Sequence, residues 1–227
     1  MERLSQMLSD YNVLQAFWMT VQLTLWGAVG ALLLGTVVAV MRVSPVKVFS
    51  RAAALYTNVV LFTPLTLIAF FFAFGVYMKM QVSLAPLSEP TRVHNFLMGV
   101  VAIAVYHSSL VAESLRSGIN TVPAGQAEAA RAIGLDFGQS LRHVILPQAF
   151  RGAIAPLGNT LIALCKNTTV VATISVAESA FLMKEMIETY ADLIIPIFVI
   201  MATGFVLLTL PLGVLFTWWS KRAAVLR

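Results

Sequence analysis

The sequence predicts an all-α membrane domain of five transmembrane helices, and three observations carry that prediction. Hydrophobic residues make up 59% of the chain and charged residues only 11%, with a mean hydropathy of +0.86; ordinary soluble domains carry about a quarter charged residues. Charge-free runs long enough to cross a bilayer recur along the chain, and Lys and Arg fall mostly on one side of them. The formal charge of +5 would suggest nucleic acid in a soluble chain. In a membrane chain the placement of the charges matters more than their sum, and no nucleic-acid partner is expected. A single cysteine, Cys165, excludes an intrachain disulfide, and no CxxC or His/Cys ligand spacing points to a metal.

A hydrocarbon core of about 30 Å needs roughly 20 helical residues. Tyr11 to Met41, Ala52 to Met78, Asn95 to Ala112 and Leu193 to Ser220 are free of charge, and Gly152 to Ala177 is interrupted only by Lys166. These runs place spans at about 13–40, 53–77, 95–115, 152–177 and 194–219. Glu2 and Asp10 precede the first run instead of a basic stretch, so that run is expected to stay as a helix. Arg42, Lys47, Arg51, Arg116, Arg131, Arg142, Arg151, Lys221, Arg222 and Arg227 fall on one side; Arg3, Lys79, Arg92 and Lys184 fall on the other. Ten against four puts the central loop and the carboxyl end in the cytoplasm and the amino end outside the cell membrane.

Span one mixes Gln15, Thr20, Gln22 and Thr24 with Gly27, Gly30 and Gly35, a composition suited to close helix packing. Its GALLLG run is no phosphate loop, because no Lys-Ser/Thr follows and no strand precedes it. No nucleotide site occurs elsewhere, so this chain is expected to bind no cofactor of its own. In span two Pro64 is expected to kink the helix, its freed carbonyl taken by neighbours or by the Thr63 hydroxyl. Span three starts with His94, expected to be solvated, holds His107, expected to be buried and hydrogen-bonded, and ends in Glu113 and Arg116, which at i,i+3 can pair.

In span four an intramembrane Lys costs roughly 2.5 to 3.5 kcal/mol, so Lys166 should face the protein interior or an aqueous cavity. With Asn159, Thr160, Asn167, Thr168 and Thr169 it forms a polar band. Such a band suits a permeating carboxylate, or a neighbouring subunit's carboxylate, equally well. Glu178 to Asp192 carries Phe181, Met186 and Ile187 among charges and predicts an amphipathic external helix. Span five contains Pro196, Gly204 and Pro211 and is expected to bend. Trp218 and Trp219 precede Lys221 and Arg222 at the inner boundary.

Between spans three and four lies the most informative stretch, the polar loop 121–147. Pro123 suits a helix start, Ala124 to Ile133 are helix formers, and Gly134 suits a left-handed stop. Asp136 with Gln139 predicts a capped second helix, ended by Pro147. Glu128-Ala129-Ala130, Gly134 and Ile145-Leu146-Pro147 resemble the EAA loop of binding-protein-dependent ABC importer permeases. The likeness runs on through Ala112 to Ile119, Pro156 to Thr160 and Lys166 to Thr169, in wording most similar to actinobacterial glutamate uptake permeases.

The resemblance implies a five-span type I importer permease fold with a cytoplasmic coupling helix. It makes Glu128, Ala129, Ala130, Gly134, Leu146 and Pro147 the contact with separate ABC ATPase subunits, which hold ATP and Mg. It also implies a second permease subunit, identical or related, and an extracytoplasmic solute-binding protein touched by the segment after Glu178. Thr63-Pro64-Leu65 resembles the family's R-G-T-P-L element, but Leu61 and Phe62 replace its Arg-Gly. The expected path or gate comprises Lys166, Asn167, Thr168, Thr169, Asn159, Glu113, Arg116, Thr63 and Pro64. The competing reading is an ion-coupled secondary transporter; few intramembrane carboxylates and no evident inverted repeat speak against it.

Overall fold

A computed structural model describes residues 2–224, all helices and connections with no strand among them. Arg227, counted above among the cytoplasmic charges, lies outside the described residues. A short amino-terminal helix, α1 (Glu2–Asp10), precedes α2 (Val13–Val43), whose first turn is capped by Asn12 accepting from the Gln15 amide at 3.0 Å. α3 (Lys47–Phe62) and α4 (Leu65–Phe70), the latter running on as a π-helical segment Phe71–Lys79, occupy the second apolar run. α5 (Thr91–Ile119) is the most enclosed long helix.

The glycines of α2 explain how it meets α5. A Cβ on Gly35 would lie 2.7 Å from the Ser108 carbonyl oxygen, and one on Gly27 would lie 2.7 Å from Ile103 Cγ2. Only a hydrogen fits there, so the two backbones approach closely. Leu23, Ala31, Ala102, Ile103, Leu164 and Val171 form the buried core where α2 and α5 meet span four.

The Thr63–Pro64 element does more than kink its helix: α3 and the segment Leu65–Lys79 meet at 102°. Pro64 offers no amide hydrogen, and its ring drives the preceding residue out of the helical region. Thr63 is accordingly extended, with φ −94° and ψ 125°. Its amide reaches Val60 O at 3.2 Å and its hydroxyl donates to Val59 O at 2.7 Å, so the broken end is satisfied within the chain.

Pro147 does not end the helix before it. From α7 (Phe137–Ser140) the chain stays helical through a π-helical turn, Leu141–Ile145, into α8 (Leu146–Asn167). The wide turn, in which the Leu146 amide reaches back to Leu141 O, makes room for a proline that would clash in a regular helix. Gln148 Nε2 takes the Val144 carbonyl at 3.0 Å. α8 tightens into a 3₁₀ segment, Thr168–Ile174, and stops at Ser175, whose φ is +61°. α9 (Ser179–Thr189) then leaves at 55°, and α10 (Ile194–Ala224) is one helix with Pro211 inside it. Among the described residues three helices, Val13–Val43, Thr91–Ile119 and Ala191–Ala223, are each long and apolar enough to cross a bilayer, and up to five crossings result if each bent pair counts as one.

Candidate functional site

The loop between α5 and α8 is built from local signals. α6 (Ala124–Ala132) ends in a complete glycine cap: Gly134, at φ +87°, donates to Arg131 O at 3.0 Å, and Leu135 donates to Ala130 O at 3.1 Å. Asp136 and Gln139 form the reciprocal capping box of α7, at 2.8 and 3.0 Å. The two sides of α6 differ. Ala130 is 3% exposed and seats the helix, whereas Glu128 and Ala129 are exposed. Ile133 (77% exposed) and Phe137 (44%) stand out on either side of Gly134, leaving apolar area that the described residues do not cover. Leu146 is half-buried and Pro147 exposed.

The base of the loop is clamped. A Cβ on Gly118 would sit 2.3 Å from Ala149 O, and one on Gly152 would sit 2.4 Å from Thr121 Oγ1. The ends of α5 and α8 therefore interlock.

Just above this clamp Glu113 and Arg116 pair as their spacing predicts, Nε at 2.9 Å and Nη2 at 2.7 Å from Oε2. Sequence reasoning missed the third member. Arg42, from the last turn of α2, places Nη2 3.1 Å from Glu113 Oε1 and gives Nη1 to Thr57 Oγ1 at 2.9 Å. One carboxylate thus ties α2 to α5, and the same Arg reaches α3. The only sequence signal was an Arg at the end of an apolar run, read as a topology marker.

The polar band of span four divides. Asn159 and Lys166, seven residues apart on one face of α8, are exposed, with Thr169 half-buried beside them. Among the described residues no carboxylate pairs with Lys166. Thr160 and Thr168 turn inward: Thr160 meets Ser114 Oγ at 3.1 Å, and Thr168 donates to Cys165 O at 2.8 Å. Asn167 also faces α5, its Nδ2 lying 3.2 Å from His107 Nε2 while His107 Nδ1 meets Ile103 O at 3.0 Å. His107 is buried and hydrogen-bonded, as expected of it. Lys166 does not face this chain's own interior; it projects from the folded unit, where lipid would not solvate it.

On the opposite end, His94 is buried, contrary to its expected solvation. Tyr77 stacks on it at 4.5 Å, and its nitrogens meet Ser83 Oγ at 2.6 Å and Glu89 O at 3.1 Å. The Lys79–Arg92 loop folds back over it. Glu178 is the buried carboxylate that the apolar pattern concealed. It caps α9 by accepting from the Ala180 and Phe181 amides at 2.8 and 2.9 Å, and also meets Ser179 and Thr20. Burial pushes its carboxyl above the ordinary range, and these four donors oppose the shift. Met186 anchors the amphipathic α9 against Met7, Ile197 and Met201.

Residues 31–225 match the family described as binding-protein-dependent transport system inner membrane component. A glutamate transport system permease protein of Corynebacterium glutamicum is 49% identical over 216 residues, covering 94% of this chain and 95% of that protein. Its counterpart in Corynebacterium efficiens is 50% identical over 204 residues, covering 89% and 90%. A crystal structure of an amino acid ABC transporter with histidines contains a chain that is 28% identical, with a TM-score of 0.79, covering 92% of this chain and 93% of that one.

Proposed function

The chain belongs to the binding-protein-dependent transport system inner membrane component family, and from that membership we propose that it moves glutamate through an ATP-driven ABC importer. The observation that carries the substrate is near-end-to-end identity with a glutamate permease, 49% over 94% of the chain. The importer is completed by ABC ATPase subunits that bind ATP and Mg, a second permease subunit, and an extracytoplasmic solute-binding protein. The amino end lies outside and the carboxyl end in the cytoplasm, in keeping with the ten-to-four placement of basic residues.

α6 serves as the coupling helix. Glu128, Ala129, Ile133 and Phe137 present charge and uncovered apolar area to an ATPase groove, while Ala130 and Gly134 hold the shape. Closure of the ATPases draws the two loops together, and the Gly118–Ala149 clamp turns that movement into rocking of α5 and α8. Coupling requires the ATPase to bind the two states of the loop unequally. The Arg42–Glu113–Arg116 cluster lies at the inner ends of α2 and α5 and acts as the inner gate. The exposed Lys166 and Asn159 face of α8 lines the path shared with the second permease, and the Thr63–Pro64 break shapes its wall.

Uptake of labelled glutamate into proteoliposomes holding the whole importer should persist when proton and sodium gradients are collapsed and ATP remains. Uptake that stops with the gradients would replace this reading with the ion-coupled one. Lys166→Met tests the path directly. Because Lys166 has no ionic partner among the described residues, the variant should assemble normally, and loss of one charge-assisted contact to a carboxylate, about 1.5–3 kcal/mol, should cut uptake roughly 10- to 100-fold. Unchanged uptake kinetics in an assembled complex would exclude Lys166 from substrate contact.

A further inference from the structure

A cavity of about 550 Å³ opens at the amino-terminal end of α2, between that helix, the first turns of α5 and the turn leading into α9. Its size falls within the range of small-molecule sites, roughly 300–1,000 Å³. Its wall carries both signs of charge, Asp10 and Arg92, together with the side-chain amides of Gln15 and Gln22, over an apolar floor that includes Trp26 and Phe96. Arg92 forms no ion pair and no side-chain hydrogen bond among the described residues. Asp10 commits one oxygen, Oδ2, to the Tyr190 hydroxyl, and the other has no partner among the described residues. That hydrogen bond to Asp10 raises the Tyr190 phenol above its ordinary value. Ser175, one of two described non-glycine residues with positive φ, lines the same cavity at the end of the 3₁₀ segment. A helix end carries partial negative charge, and strained backbone gathers at binding sites.

We propose that this cavity binds a zwitterion, with Arg92 holding its acidic group and the free oxygen of Asp10 holding its ammonium. Gln15 stands beside these charges and serves the remaining donors and acceptors, while Gln22 and Trp26, two and three turns further along α2, meet only the extended part of a longer ligand. Two sources offer this chemistry: a free amino acid, and a phosphatidylethanolamine headgroup with its tail along the exposed side of α2. None of the lining residues belongs to the proposed path or coupling loop, so the site stands apart from the transport reading.

The test uses the full chain and two probes. Radiolabelled L-glutamine, a zwitterion without net charge and not the proposed transport substrate, is measured by equilibrium dialysis in detergent. Phosphatidylethanolamine retention is measured by native mass spectrometry from nanodiscs mixing it with phosphatidylglycerol. One probe should bind, Arg92→Gln and Asp10→Asn should each weaken it at least tenfold, and Arg92→Lys should recover part of the loss. Arg92 has no other partner among the described residues, so Arg92→Gln should elute as the parent does. Binding of neither probe, or equal binding to parent and both variants, overturns the proposal. Loss confined to one of the two variants makes the ligand a simple ion and overturns it as well.

Discussion

Glu128→Arg is expected to abolish ATP-dependent uptake, by at least about 100-fold, while the chain still inserts in normal amount. Glu128 is exposed on α6 and makes no ion pair or side-chain hydrogen bond among the described residues. A surface substitution of this kind stays within about 0.5 kcal/mol of the parent's stability. The helix itself is held elsewhere, by Ala130 at 3% exposure and by the glycine cap at Gly134. What changes is the charge offered to the ATPase. Losing a docked charge contact costs about 2–5 kcal/mol, and placing like charges together adds to it. Uptake of labelled glutamate in proteoliposomes, beside an immunoblot of the membrane fraction, separates coupling from insertion. Uptake retained at half the parent rate or more would remove Glu128 from the coupling contact.

The loop was legible because its signals are local. Gly134 and the Asp136–Gln139 box each need only residues three or four apart, and both take the expected geometry. The same locality misled at Pro147. A proline bars a regular helical turn, but five residues of π-helix absorb the ring and the chain continues. Pairings between distant segments left no trace. Arg42 and Glu113 are far apart in sequence and meet only because Gly27 and Gly35 let α2 and α5 close together. His94 sits at the outer boundary, where burial depends on how the preceding loop folds over it, which composition does not encode. In span four the residue types predicted a polar band, yet helical phase assigned Thr160, Asn167 and Thr168 to the inside and Asn159 and Lys166 to the outside. That division follows from 100° per residue once the buried face is known, and the buried face is fixed by α5.

The clamp at the base of the loop gives the second large effect: Gly118→Ala is expected to destabilise the chain and uncouple it, whereas Gly125→Ala is not. A Cβ at position 118 would lie 2.3 Å from Ala149 O, 2.8 Å from Ala153 Cβ and 2.9 Å from Ala153 N. Two of those neighbours are backbone atoms of α8 and cannot rotate away as a side chain tip would. The helices must separate, and separation loosens the Gly152–Thr121 contact just below. Overpacking of this kind costs about 1–3 kcal/mol. At position 125 a Cβ meets nothing within 4 Å, and replacing a helical glycine by alanine gains up to about 0.5–1 kcal/mol. Thermal unfolding of the two detergent-solubilised variants should therefore move in opposite directions. Glutamate uptake should fall with Gly118→Ala even at temperatures where that variant remains folded, because the loop then moves without carrying α5 and α8 with it. If Gly118→Ala unfolds at the parent's temperature and transports at the parent's rate, the close approach of these two helices is not what transmits the stroke.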